Sequence, residues 1–350
     1  MGGLGSPLLT LVFVAGAAAT WFAGGLLSRT TDALDTRFGL GEALGGLILL
    51  AITGSLPEIA ITASAAISGH LDLAVGNLIG GVAIQTLVLV ILDAASGPER
   101  PLSFRVGSLI PVIEGLMVVV VLATALAGAA LPASTNIGGA SPTSIAIVLF
   151  WLAGVWVVNR VRMQPAWEVN APEATPGRRH VREKHKVAPH PYAGASTAKV
   201  IALFLGASIV TLGAGVALQT SGSALATNMG MQGAIFGATF LAAASALPEI
   251  ASGITAVKLG DLQLAVGDIL GGNSFQICLL LLADLLAGTP VIVAAHHSDL
   301  WLGGIGLLVT GIAAGAIIAR PKRTFFWLGI DSLAMVAIYA SGIALLPLIK

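Results

Sequence analysis

Ten stretches of this chain are each apolar over about 20 residues, the length that crosses the hydrocarbon core of a bilayer as a helix. They run over 8–27, 41–69, 71–93, 106–130, 142–159, 198–218, 229–257, 262–287, 299–319 and 324–347. A membrane barrel would show alternating segments of about ten residues. Runs such as VVVVLATALAGAAL (118–131) do not alternate. The remaining residues could not solubilise such a chain: 10% are charged and the mean hydropathy is +0.94, against roughly 25% charged in soluble domains. That excludes a soluble enzyme, a nucleic-acid binder and a disordered protein. The expected fold is an all-α polytopic membrane protein. The 44 glycines suit close helix contacts. The single cysteine, Cys278, excludes an intramolecular disulfide and a thiolate metal cluster.

Charge sorts the connections. Arg29 and Arg37 follow the first stretch, Arg100 and Arg105 the third, and Arg160, Arg162, Arg178, Arg179, Arg182, Lys184, Lys186 and Lys199 the fifth. Lys258 follows the seventh, and Arg320, Lys322 and Arg323 the ninth. With ten spans these sixteen of seventeen basic residues share one face, leaving only Lys350 on the other. The positive-inside rule makes the loaded face cytoplasmic and puts both termini outside. Residues 8–27 lack the basic start of a signal peptide and read as the first helix. The polar segment 161–197, with RRHVREKHK at 178–186, reads as a cytoplasmic linker. It is too short for a regulatory domain, and the chain has no EF-hand pattern.

The chain repeats itself. LPEIA occurs at 56–60 and again at 247–251, an offset of 191 that holds without a gap over forty residues. Seventeen of the forty positions in 54–93 match 245–284, among them Pro57/Pro248, Glu58/Glu249, Gly80/Gly271, Gly81/Gly272, Gln85/Gln276 and Asp93/Asp284. The copies, about 41–93 and 229–284, lie five spans apart. An odd number inverts the second copy in the membrane, the plan of secondary transporters with a midplane site between repeats. The chain divides into five-helix halves 1–160 and 198–350.

Pro57 and Pro248 cannot donate to the carbonyls of Thr53 and Ala244. At membrane depth those oxygens must line a cavity or find other partners, and helix ends with bare carbonyls attract cations. Ser55 and Ser245 add hydroxyls. Glu58 and Glu249 follow, at about 2.5–3.5 kcal/mol each for a mid-bilayer charge on insertion scales. A symmetric pair points to function: it can bind a cation or take up protons, and alternating between the two is exchange. Asn77, Gly81 and Gln85 share one face of the next span, and Asp268, Gly272 and Gln276 share the equivalent face. The oxygen-only donor set suits Ca²⁺ and Na⁺ rather than soft metals. Glu114 and Asp331, in unrepeated spans, are secondary candidates for a proton relay or for structural carboxyls, beside Gln85 and Gln276. Asp93 and Asp284 read as solvated span ends. His296 and His297 read as an incidental surface pair, and the six tryptophans as interfacial or packing residues.

At these residues the chain resembles the cation/Ca²⁺ exchanger superfamily, in particular the sodium/calcium exchanger membrane region, whose inverted repeats read G-T-S-L-P-E and then G-N-x-x-G-S-N/D. Copy one reads Thr53-Gly54-Ser55-Leu56-Pro57-Glu58 and Gly76-Asn77-Leu78-Ile79-Gly80-Gly81-Val82. Copy two reads Ala244-Ser245-Ala246-Leu247-Pro248-Glu249 and Gly267-Asp268-Ile269-Leu270-Gly271-Gly272-Asn273. The resemblance implies that Glu58 and Glu249 hold the central ion and that the first and sixth helices slide as gates. Gly81 and Gly272 stand in place of the family's serine, Val82 in place of its polar residue, and Gly54 and Ala246 in place of Thr and Ser. Asp268 adds a third carboxylate.

The reading is a cation antiporter of the cell membrane, moving Ca²⁺ against Na⁺ or H⁺ by alternating access, with no cofactor. Its cation-binding candidates are Glu58, Glu249, Ser55, Ser245, Thr53, Ala244, Asn77, Asp268 and Asn273. A Na⁺/H⁺ or other H⁺-coupled cation exchanger without Ca²⁺ is the alternative. A passive channel would more often build a pore by oligomeric symmetry. An intramembrane enzyme would show H-E-x-x-H or G-x-S-x-G, which are absent.

Overall fold

The computed structural model describes residues 5–39, 44–132, 134–163, 175–176, 192 and 194–349. The basic run 178–186, most of the 161–197 linker and Lys350 lie outside the described residues. Among these residues the principal helices are α1 (Ser6–Phe38), α2 (Leu44–Gly54), α3 (Leu56–Ile67), α4 (Leu71–Ser96), α5 (Ile110–Gly128), α6 (Pro142–Met163), α7 (Thr197–Asn228), α8 (Gly233–Ser245), α9 (Leu247–Lys258), α10 (Leu262–Ala287), α11 (His297–Ala319) and α12 (Ile330–Leu345). Among the described residues, eight helices are long and apolar enough to cross a membrane, and nine if α8 and α9 form one bent span. Leu149, Ile209 and Leu308 are exposed on the outer surface, as lipid contact requires.

The breaks fall where proline removes a donor. α2 stops at Gly54 and α3 restarts with Pro57 in its first turn. α8 stops at Ser245 and α9 restarts with Pro248, bent by 40°. α1 and α7 are the longest helices, 33 and 32 residues. They run antiparallel: Asn228 Nδ2 donates to Ser6 Oγ at 3.3 Å near one end, and Arg37 Nη1 to Thr197 Oγ1 at 2.9 Å near the other. Hydropathy ended the first span at 27 because Arg29, Asp32, Asp35 and Arg37 follow. The helix continues through them and stops at Gly39, whose left-handed φ of 63° closes the C-cap.

α4 crosses α8 at backbone contact. A methyl on Gly76 would collide with Ala234 O, and one on Gly237 would stand 2.9 Å from Asn77 N. Both helices carry a π-helical turn at the crossing, Gly76–Gly80 and Gly237–Leu241. One apolar core joins α4, α5, α6 and α10, and a second joins α4, α9, α10, α11 and α12.

Asp93 and Asp284 are not solvated span ends. They are 2% and 0% exposed. Asp93 accepts from Leu102 N (2.6 Å), Gly329 N (2.7 Å) and Ser332 Oγ (2.6 Å). Asp284 accepts from Val291 N (2.6 Å) and Ser141 N (2.8 Å). Each ties its repeat to the start of a helix outside it, Asp93 to α12 and Asp284 to α6, and Ser141 and Ser332 are themselves 191 apart. The last span starts at Ile330 rather than 324 because Thr324–Phe325 pairs with Leu328–Gly329 in a tight hairpin. Its two central residues, Phe326 and Trp327, both have positive φ.

Candidate cation site

The helix breaks bring the two glutamates together. A small, nearly closed cavity of ≈ 10 Å³ is lined by Ser55, Glu58 and Gln85 from one half and by Glu249, Gly272, Asn273 and Gln276 from the other, with Val88, Ala246 and Ile269 completing it. That is room for about one water-sized species. Its wall is rich in acceptors. Glu58 Oε2, Glu249 Oε2 and Gln85 Oε1 are buried oxygens without a hydrogen-bond partner. Gln85 Nε2 reaches Glu58 Oε1 only at 3.5 Å. The remaining amides are committed: Gln276 Nε2 donates to Asn77 O (2.9 Å) and Leu78 O (3.2 Å), and Asn273 Nδ2 to Thr86 Oγ1 (3.0 Å). Buried acceptors without donors are costly unless a cation or proton joins them.

Glu249, Ser55 and Gly272 also form part of a second, wider cavity of ≈ 230 Å³. Its lining includes Thr53, Glu114 and Asp268, then Asp32 and Asp35 of α1, Asp261 before α10 and Arg162 of α6. These last four sit at the helix ends that the charge asymmetry assigns to the cytoplasm. Among the described residues, none at the opposite helix ends, such as His70, Asn228 or Asp299, lines it. Asp268 faces this space and accepts from Ser252 Oγ at 2.7 Å.

Other predicted residues lie elsewhere. Ser245 is fully buried behind the small cavity, donates to Ala242 O at 3.2 Å and lies against the Glu58 carboxyl. Ala244 O accepts from Thr20 Oγ1 at 3.4 Å. Asn77 is buried with neither amide atom partnered, but it lines neither cavity. Asp331 stands in the first turn of α12, against Gly329, apart from both. Val82 faces the apolar core rather than the cavity, whereas its repeat partner Asn273 lines the cavity. The two repeat-related glycines differ in their surroundings. A methyl on Gly81 would stand 2.9 Å from Ala242 Cβ, whereas one on Gly272 would meet nothing within 4 Å.

Sequence reasoning did not single out Thr86, Ser252 or Thr20. The repeat offset would have found Thr20, because it pairs with Thr211.

The family model described as "Sodium/calcium exchanger protein" matches residues 8–161 and 199–346. The chain belongs to that family. It is thus a polytopic membrane protein and a cation antiporter. It is 26% identical over 279 residues to the inner membrane protein YrbG of Escherichia coli (strain K12), covering 79% of this chain and 75% of that one. It is 27% identical over 250 residues to the putative antiporter CaxA of Alkalimonas amylolytica, covering 71% and 72%. Among solved structures, an H⁺/Ca²⁺ exchanger, CAX, superposes with a TM-score of 0.68 at 13% identity, over 97% of this chain and 81% of that one. The sodium-calcium exchanger NCX_Mj superposes at 0.59 and 15% identity, over 97% and 99%. These superpositions establish the shared fold.

Proposed function

We propose that this exchanger moves Ca²⁺ across the cell membrane against Na⁺ or H⁺, with Glu58 and Glu249 as the central ligands. The observation that carries it is the trio of unpartnered buried oxygens, Glu58 Oε2, Glu249 Oε2 and Gln85 Oε1, around a cavity of one-ion size. An oxygen-only set with two carboxylates matches a hard divalent cation. Ser55, Asn273 and Gln276 complete the wall. Asp268, Thr53 and Glu114 stand on the approach to it, while Ser245, Ala244 and Asn77 support it from behind.

Taking α2 with α3 and α8 with α9 as two broken spans gives ten. Both termini then lie outside, the halves are 1–160 and 198–350, and the linker 161–197 is cytoplasmic. The wide cavity opens toward the basic face alone, which supports an inward-open state of an alternating-access cycle. Gly272 leaves a bare wall where the family pattern carries a hydroxyl. That favours H⁺ over Na⁺ as the counter-ion, because a proton needs no coordination shell of its own. The test is Ca²⁺ flux into proteoliposomes under imposed Na⁺ or H⁺ gradients. Flux driven by neither gradient would refute the reading. Cation exchange that excludes Ca²⁺ would reassign the substrate.

A further inference from the structure

The two halves should be equivalent under the 191-residue offset, yet α1 and α7 do not meet their broken partners in the same register. The offset pairs Thr20 with Thr211, Gly24 with Gly215, Pro57 with Pro248, Ala60 with Ala251, and Thr53 with Ala244. On one side, Gly24 lies directly on the Pro248 ring, which a methyl there would overlap. Thr20, one turn earlier, reaches the carbonyl that this proline releases: its hydroxyl is 3.4 Å from Ala244 O, a proton it shares with Ala17 O at 2.8 Å.

On the other side the contact has moved along the helix. A methyl on Gly215 would stand 2.6 Å from Ala60 Cβ and 2.9 Å from Pro57 O, and the Pro57 ring is not among its nearest neighbours. The displacement is from Pro57 towards Ala60, about one helical turn or about 5 Å. Thr211, by symmetry the partner of Thr53 O, is fully buried with no hydrogen-bond partner for its hydroxyl. α1 and α7 pack lengthwise on each other, so they shift together. The sequence thus carries both registers in both halves, and the structure shows each once.

We propose that Thr20 and Thr211 are paired positioning residues that latch the α1–α7 pair alternately at its two registers. In the state described, Thr20 holds Ala244 O. In the opposite state, one turn away, Gly215 lies on the Pro57 ring, Gly24 on Ala251, and Thr211 holds Thr53 O. A packed pair with two discrete seats is a bistable element. Neither threonine lines the narrow cavity, so the hydroxyls bias the pair from outside the central ligand set, Thr211 from the wall of the wide cavity. This rests on the alternating-access reading above.

The test uses the purified full chain with Ser28→Cys, a position on α1 that lines the wide cavity. The native Cys278 is buried. Labelling by a water-soluble maleimide then reports how often that cavity is open. Thr20→Val should slow labelling by about two- to fivefold, and Thr211→Val should speed it by a similar factor, the size expected for one modest hydrogen bond. Thr20→Ser and Thr211→Ser should restore the parent rate. Two valine variants that shift the rate in the same direction would overturn the proposal, as would serine variants that fail to restore it. If Thr20→Val yields no folded protein, Thr211→Val alone decides: faster labelling supports the latch, and unchanged or slower labelling overturns it. The antiporter reading fails separately, through absent flux in the wild-type protein, and the labelling ratios do not depend on it.

Discussion

Replacing Asp93 by alanine removes one carboxylate and strands three donors. Leu102 N, Gly329 N and Ser332 Oγ all point at it from 2.6–2.7 Å, and the side chain is 2% exposed. Hydrogen bonds to a charged acceptor are each worth about 1.5–3 kcal/mol. Relaxation and water entry recover part of the loss, so Asp93→Ala should destabilise the fold by about 3–5 kcal/mol. Asp284→Ala strands two backbone donors, Val291 N and Ser141 N, and should cost about 2–3 kcal/mol. Asp93→Asn keeps one acceptor oxygen but puts an NH₂ group among the donors, and should fall between wild type and Asp93→Ala. The assay is thermal unfolding of the detergent-solubilised protein followed by tryptophan fluorescence. The reasoning is refuted if Asp93→Ala unfolds with wild type, or if Asp284→Ala is the more damaging of the two alanine variants.

Glu58→Gln and Glu249→Gln should each abolish Ca²⁺ flux while the protein still inserts and elutes as a folded species; near-normal flux in either would remove that residue from the site. Gly272→Ser should fit without repacking, because nothing stands within 4 Å of a methyl there, and should increase the Na⁺ dependence of flux; an unchanged Na⁺ response would show that a hydroxyl at this point does not reach the ion. Asp268 adds a third carboxylate near the proposed divalent site, whose excess negative charge a proton can neutralise. Asp268→Asn should therefore flatten the pH dependence of flux measured from about pH 6 to about pH 9, and superimposable profiles would reject that role.

Most of the spans, the internal repeat and the meeting of Glu58 with Glu249 were legible because each leaves a local mark: a run of apolar residues, a shared LPEIA, a charge where charge is costly. The break positions were legible for the same reason, since proline cannot donate. What escaped was tertiary. Asp93 and Asp284 sit where hydropathy ends, and a sequence does not show whether such an end meets water or the start of another helix. Val82 and Asn273 occupy equivalent repeat positions, yet the first packs against α5 and α11 while the second faces the cavity. The π-turns answer the close crossing of α4 over α8, and only Gly76 and Gly237 hint at it. Hydropathy excludes residues 28–38 from the first span because they are polar, although a helix tolerates charge where it lines a cavity, as Asp32 and Asp35 do.

The contrast between the two cavities bears on which ions can pass. The wide one, ≈ 230 Å³, has room for an ion with its water shell; the narrow one, ≈ 10 Å³, does not. An ion moving from one to the other at Glu249 must give up its hydration and accept carboxylate and amide oxygens instead. Ca²⁺ exchanges waters for protein oxygens readily and tolerates irregular coordination, whereas Mg²⁺ holds its waters and demands an octahedron. Selection against Mg²⁺, the commoner cytoplasmic divalent ion, would then be made at the constriction by the cost of dehydration, before any ligand geometry in the narrow cavity is tested.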